Sequence, residues 1–273
     1  MTSRFFHIFA LLMVASLLYI GCKSATTDPN GNNNTITSIG DSVPRLHSNY
    51  TYDRLQLDMN NNIIQGSTIT GTAIIDSVAL SLFGKNNVFS IYDQDRTSLD
   101  TSFYTYESNG DVSMYLLSPG FLKNNGNGEQ IDETLLTIAN LVFHNWITLP
   151  IASKKTLNPY DAKVTIDING DKVLADIHTV VEFIGDSSIV TTKGVLLKPD
   201  TVAAKHCKIT ITANMILGGA PFNVSHVRDI WFVPKIGYIA RQMIRTYVPA
   251  YSILVIPLDT SVTLKAMTNY SLF

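Results

Sequence analysis

From Tyr50 to the C-terminus, apolar and polar residues exchange places at every second position, in segments of strand length cut by turn-forming residues. A chain with that period can bury one face of a sheet and leave the other wet, but cannot hold a continuous apolar stripe as a helix does. Lys205–Met215 shows the pattern most cleanly. Cys207, Ile209, Ile211, Ala213 and Met215 share one face, and His206, Lys208, Thr210, Thr212 and Asn214 share the other. Cys207 is therefore expected to be an inert core thiol. Tyr52–Met59, Ile69–Ser81 and Val88–Asp93 repeat the pattern between Asn-, Gly- and Ser-rich breaks. Val227–Val233 and Tyr238–Tyr247 flank the turn residues Pro234 and Gly237, and Tyr251–Ile256 and Ser261–Ser271 close the series. Breaks this short suit an antiparallel meander and disfavour crossover helices.

Two Asn-Gly pairs set registers. Asn109-Gly110 joins Thr101–Ser108 to Asp111–Ser118; a two-residue type I′ turn there would put Tyr104 opposite Tyr115 and Tyr106 opposite Ser113. Asn169-Gly170 joins Lys163–Ile168 to Asp171–Ile184. The same turn would set Ile166 against Val173, Val164 against Ala175 and Asp167 against Lys172. The Asp167, Asn169, Asp171 spacing also opens like a calcium loop, but Lys172 stands where the invariant Gly belongs and His178 where the bidentate Glu belongs.

Between the hairpins, Gln130–Ile147 has helical spacing. Asp132 and Glu133 suit a helix N-terminus, Glu133, Thr137, Asn140 and His144 form a polar stripe, and Pro150 ends the segment. The expected fold is thus mainly β: a strongly curved antiparallel sheet, half-barrel or two packed sheets, with one amphipathic helix. More than ten strands exceed what a flat open sheet carries comfortably. The wide apolar face of that helix, with Leu135, Ile138, Val142 and Trp146, would line a cavity for an apolar ligand against the sheet.

The N-terminus reads differently. Arg4 precedes an apolar block, Phe5–Ile20, followed by Gly21-Cys22. That is an export signal, too short and wrongly flanked for a spanning helix. Leu18-Tyr19-Ile20-Gly21-Cys22 resembles the lipobox of bacterial lipoproteins. The resemblance implies cleavage before Cys22, lipidation of its thiol and anchoring to a membrane through two or three acyl chains. Lys23 is not the Asp that often retains such proteins in the inner membrane, so the resemblance implies the outer membrane, with the side left open. Residues 1–21 are then the signal peptide, 22–49 a polar, turn-rich tether and 50–273 a single β-rich domain.

Removing residues 1–21 takes Lys+Arg from 20 to 19 against 22 Asp+Glu, a net charge of about minus 3 with no basic run. That argues against nucleic acid as a partner. With Cys22 acylated, Cys207 has no disulfide partner. No cofactor loop appears, and the histidines have no zinc-ligand spacing, so neither cofactor nor metal is expected. Gly40-Asp41-Ser42 and Gly185-Asp186-Ser187 match the opening of a serine esterase family whose Asp and His signature is missing here. Asp176 and His178 share a strand face, as surface pairs often do. Thr201–Ile209 and Asp229–Ile239, with Trp231 before a turn ending in Gly237, resemble a pattern of bacterial lipoproteins that have no assigned catalytic residues. The likeness covers residues 149–247, and in place of the family's small-residue turn this chain has Val202-Ala203-Ala204. Two functions remain: a non-enzymatic lipoprotein binding an apolar ligand or an envelope protein through its curved sheet, or an envelope hydrolase of glycan or ester substrates with carboxylates from separate strands.

Overall fold

The structure is a computed structural model and describes residues 44–116, 145–168, 171–250 and 260–272. Among them are twelve strands and no helix. They are β1 (Asn49–Leu57), β2 (Ile69–Leu82), β3 (Lys85–Asp95), β4 (Leu99–Tyr106), β5 (Val112–Leu116), β6 (Asn145–Leu149), β7 (Leu157–Ile168), β8 (Asp171–Lys193), β9 (Lys198–Leu217), β10 (Ala220–Val233), β11 (Tyr238–Tyr247) and β12 (Val262–Ser271). All join one sheet in the order β6-β5-β4-β3-β2-β1-β12-β11-β10-β9-β8-β7. The ladders between neighbours in that order are antiparallel, as short connections require. The first and last strands meet at the centre, where β1 pairs with β12.

The sheet is curved, and its own contacts show it. One buried cluster takes side chains from every strand except β7, which adds the half-buried Leu157, Tyr160 and Val164. Residues on strands that are not neighbours touch across the interior: the Tyr50 hydroxyl donates to Ile236 O at 2.8 Å, and, several strands apart, that of Tyr106 to Pro234 O at 3.3 Å. The long β8–β9 hairpin runs past the end of the β10–β11 hairpin, and its tip reaches β12. There Thr192 and Lys193 pair in parallel with Asn269 and Tyr270. A bulge at Phe183/Gly185 shifts the β8–β9 register, and the burial phase of β9 slips with it. Cys207, Ile209 and Ile211 are buried on one parity and Val202 and Ala204 on the other.

The Asn169-Gly170 hairpin has the expected register, with Ile166 opposite Val173, Val164 opposite Ala175 and Asp167 opposite Lys172. The Asn109-Gly110 hairpin does not. Tyr104 pairs with Met114 and Tyr106 with Val112, one residue from the two-residue-loop register. Gly110 takes φ +87° while Asn109 keeps a negative φ, so three residues form the loop and Gly110 supplies the bulge position. The shift turns each partner side chain to the opposite face. Asp111 holds it: its Oδ1 accepts from the backbone N–H groups of Ala152 and Ser153 at 2.8 and 2.9 Å. Gly110→Ala would force an L side chain into the left-handed region, 3.2 Å from the Ala152 Cβ. The expected loss is about 1–2 kcal/mol, read as a lower urea midpoint with the m-value unchanged.

One further expectation is corrected. The helix proposed to Ile147 does not extend there, because Asn145–Leu149 is strand β6, paired with Val112–Leu116. Trp146, Ile147, Thr148 and Leu149 fit a strand as well as a helical turn, and the open edge of β5 decides between them. Gln130–His144, including Leu135, Ile138 and Val142, lies outside the described residues, as do Cys22 and the strand expected at Tyr251–Ile256. Pro44 and Ser48, ahead of the sheet, are buried, and Asn49 opens β1.

Candidate functional site

The concave face is apolar over most of its area and charged at one end. Alternation along β1, β3, β4, β10 and β12 brings Tyr52 and Arg54, Asp93 and Asp95, Asp100 and Tyr104, Arg228, and Lys265 to the same side. The ladders then set them side by side: Arg54 opposite Lys265, and Asp93 opposite Asp100. Lys265 pairs with Asp93. Its ammonium lies 4.0 Å from the centroid of the Tyr52 ring and 5.6 Å from that of Tyr238, where ring quadrupoles add to the attraction. Arg54 pairs with Asp95 at 2.9 Å. Gly71 makes room for the arrangement, since a Cβ there would lie 2.5 Å from the Tyr52 ring.

The two neighbouring carboxylates on β3 have pKa values displaced in opposite directions. Burial raises the Asp93 pKa above the usual carboxylate range; Lys265 opposes the rise, and Asp100 and Asp95 add to it. Burial pushes Asp95 up as well, but hydrogen bonds from Thr97 and Ser98 and the charge of Arg54 outweigh it and hold its pKa below the usual range. In both pairs the acid is the more covered partner. Side-chain exposure is 1% for Asp95 against 32% for Arg54, and 12% for Asp93 against 22% for Lys265. The charge that faces outward is positive. Two buried donors here, Arg54 Nε and the Tyr238 hydroxyl, have no acceptor among the described residues.

Deeper on the same face, His226 and Arg228 are buried on β10. Arg228 Nε donates to His226 Nε2 at 2.8 Å, so the imidazole proton sits on Nδ1 and points at Thr246 Oγ1, 3.0 Å away. Burial brings the Arg228 pKa down to about 10. Burial, then the Arg228 charge, lowers that of His226 well below 6.5. The unfolded chain takes up a proton near pH 6.5 that folded His226 refuses, so its stability contribution is full above 6.5 and lost as pH falls. The expected slope is up to about 1.4 kcal/mol per pH unit below 6.5. Urea unfolding at pH 7.5, 6.5 and 5.5 measures it, and His226→Gln removes that share.

Other clusters are less suited to a ligand. On the convex face the Trp231 ring is covered on both sides, by the His206 ring at 4.1 Å and the Arg241 guanidinium at 4.9 Å, so it offers no stacking platform. Asp229 bridges His206 and Arg245 beside it. Asp161, Asp176 and His178 bring ligand-type atoms within 4.8 Å of one another. Each ring nitrogen of His178 faces a carboxylate at 3.1 Å, and none of the three is buried, which describes a polar cluster on the surface. Of the residues expected to line an apolar cavity, the described one is Trp146. It packs edge-on against Tyr115 and donates to Phe83 O at 2.9 Å. Cys207 is buried as expected, and burial, with Asp111, raises its thiol pKa to about 12. The charged end of the concave face was missed in the sequence; its one signal was acid or base at positions where alternation requires an inward side chain, as at Asp93, Arg228 and Lys265.

Fold and site define a mainly β protein: a curved twelve-stranded antiparallel sheet with a charged cluster at one end of its inner face. No protein-family model matches the chain, and no curated protein matches it. Among solved structures it is similar to a protein of Bacteroides fragilis described as exported, with a YmcC-like fold, and to a protein of Parabacteroides distasonis described as a lipoprotein. Each is 14% identical over 83% of this chain and 96% of the other, with TM-scores of 0.36 and 0.39. Likeness at that level carries no argument about function.

Proposed function

We propose that this chain is an outer-membrane lipoprotein, anchored by acyl chains on Cys22, that binds rather than transforms an envelope ligand or partner on its concave face. The carrying observation is the charged end of that face. Buried ion pairs gain a fold little over apolar residues of the same size, so groups this costly at one place on an apolar face point to a binding role. The outward cations and the two donors without acceptors favour an acidic group on the ligand, with the surrounding apolar face against its hydrocarbon part. The hydrolase reading has one observation in its favour, the opposite directions in which the pKa values of Asp93 and Asp95 are displaced. Against it, Asp95 is fully engaged by Arg54, Thr97 and Ser98, and Asp93 is tied to Lys265, so neither is free to attack or to move a proton.

Thermal unfolding of the full mature protein with anionic amphiphiles and acidic glycans tests the binding reading. A ligand at 100 times its Kd should stabilise the fold by about 2.7 kcal/mol, and Arg54→Gln should weaken the response. No shift across both classes, or equal shifts in wild type and Arg54→Gln, would contradict it.

A further inference from the structure

The tip of the β8–β9 hairpin is apolar and faces solvent. Val195, Leu196 and Leu197 are 95%, 78% and 58% exposed, and Val190, on the last rungs of β8, is 79% exposed. A connecting loop gains nothing from three consecutive bulky apolar residues in water, and an exposed apolar patch usually marks a contact. The tip is held in a defined shape. Leu197 N donates to Gly194 O at 3.1 Å to close the turn, and Gly194 N donates to Tyr270 O at 2.8 Å to fasten it to β12. Thr192 Oγ1 adds a bond to Thr268 O at 3.0 Å. Leu197 sits at φ +49°, a strained conformation for a bulky residue. Lys193 and Lys198, paired across the final rung, flank the tip, and no acid occurs between Asp186 and Asp200.

The position of the tip gives its occupant. The chain joins the folded body at Pro44, which lies against the β10–β11 turn: a Cβ on Gly237 would meet Pro44 Cγ at 3.0 Å. Lys235 of that turn and Lys193 beside the apolar tip act on the same Asp200 carboxylate. The tether and the apolar tip therefore leave the body at one end. The 22 residues Cys22–Val43 reach at most about 75 Å, so an anchor at Cys22 keeps a bilayer within range of that end. A lipid surface suits both parts of the tip: acyl chains for the Val and Leu side chains, anionic head groups for the flanking lysines.

We infer that the β8–β9 tip is a second membrane contact, with Val195, Leu196 and Leu197 in the acyl region and Lys193 and Lys198 at the phosphates of the anchoring membrane. The inference rests on acylation at Cys22. It orients the body with the β10–β11 turn toward the bilayer and the Met59 end of β1 away from it.

The test uses the full mature protein carrying Leu196→Cys, labelled with an environment-sensitive fluorophore, in phosphatidylethanolamine–phosphatidylglycerol vesicles with nitroxide-bearing acyl chains. Buried Cys207 stays unlabelled, and Met59→Cys, at an exposed position on the far end of β1, is the control. The expected result is a blue-shifted emission at position 196, quenched several-fold more than at position 59. Equal, weak quenching at both positions on vesicle-bound, acylated protein would overturn the tip contact and leave the anchor standing. A blue shift untouched by the nitroxides would mean that protein covers the tip, and would also overturn it. Protein that lacks acyl mass and does not float with vesicles would remove the anchor and the inference together.

Discussion

Lys265→Met should destabilise the protein by about 3–5 kcal/mol at pH 7, because it leaves the Asp93 carboxylate largely buried without its partner and close to two other acids. Lys265 is the cation paired with Asp93, and Asp100 and Asp95 both raise the pKa of that carboxyl. Methionine keeps most of the side-chain volume, so the loss reports charge more than packing. The pH dependence distinguishes the two. Without Lys265 the folded-state pKa of Asp93 rises further, so the destabilisation is full above that pKa. It shrinks as pH falls through it toward the unfolded value, because the folded state then takes up the proton more readily. Asp93→Asn in the same chain should restore most of the stability at pH 7. Urea unfolding of the wild type, the single variant and the double variant measures all three. A Lys265→Met loss under about 1 kcal/mol would place the pair among surface ion pairs.

Tyr50→Ala should cost a similar amount, about 3–5 kcal/mol. Tyr50 is almost fully buried, its ring is stacked on Tyr238 at 4.1 Å with an interplanar angle of 1°, and its hydroxyl reaches Ile236 O. The ring fills the interior where β1 faces the β10–β11 turn, and alanine leaves a cavity that paired strands cannot collapse into. Tyr50→Phe keeps the ring and loses one buried hydrogen bond, for about 1–2 kcal/mol. The gap between the two variants, read from urea midpoints, separates packing from hydrogen bonding.

The strands were legible because their signal is local. Period-two alternation in Lys205–Met215 follows from the backbone alone, and the buried row from Cys207 to Met215 matches it. The Asn169-Gly170 register could be read because cross-strand pairs on both faces agree with the turn. The Asn109-Gly110 register could not. It depends on Asp111 capturing the N–H groups of Ala152 and Ser153, some forty residues further along the chain, and nothing near the turn records that contact. Asn145–Leu149 failed for a related reason: a five-residue segment fits either period, and the vacant edge of β5 settles it from outside.

The charged site was illegible because its members come from β1, β3, β4, β10 and β12, and the β1–β4 and β10–β12 groups share one face only once β1 has paired with β12. Each charge in isolation reads as a solvated residue. Arg228 looked like one polar position in Val227–Val233, and burial beside His226 becomes visible only when the sheet curves. Helical spacing is a local signal, and an inward-facing ion pair leaves none.

The most direct test of a ligand-binding concave face is native mass spectrometry of the full mature protein, extracted from its own envelope and compared with the Asp93→Asn, Lys265→Met double variant. The double variant removes the pair while leaving the fold near wild-type stability. The account predicts a non-covalent acidic adduct on the wild type, in addition to the acyl mass on Cys22, and its loss from the double variant. A wild-type mass with no adduct, or an adduct retained in full by the double variant, would contradict it.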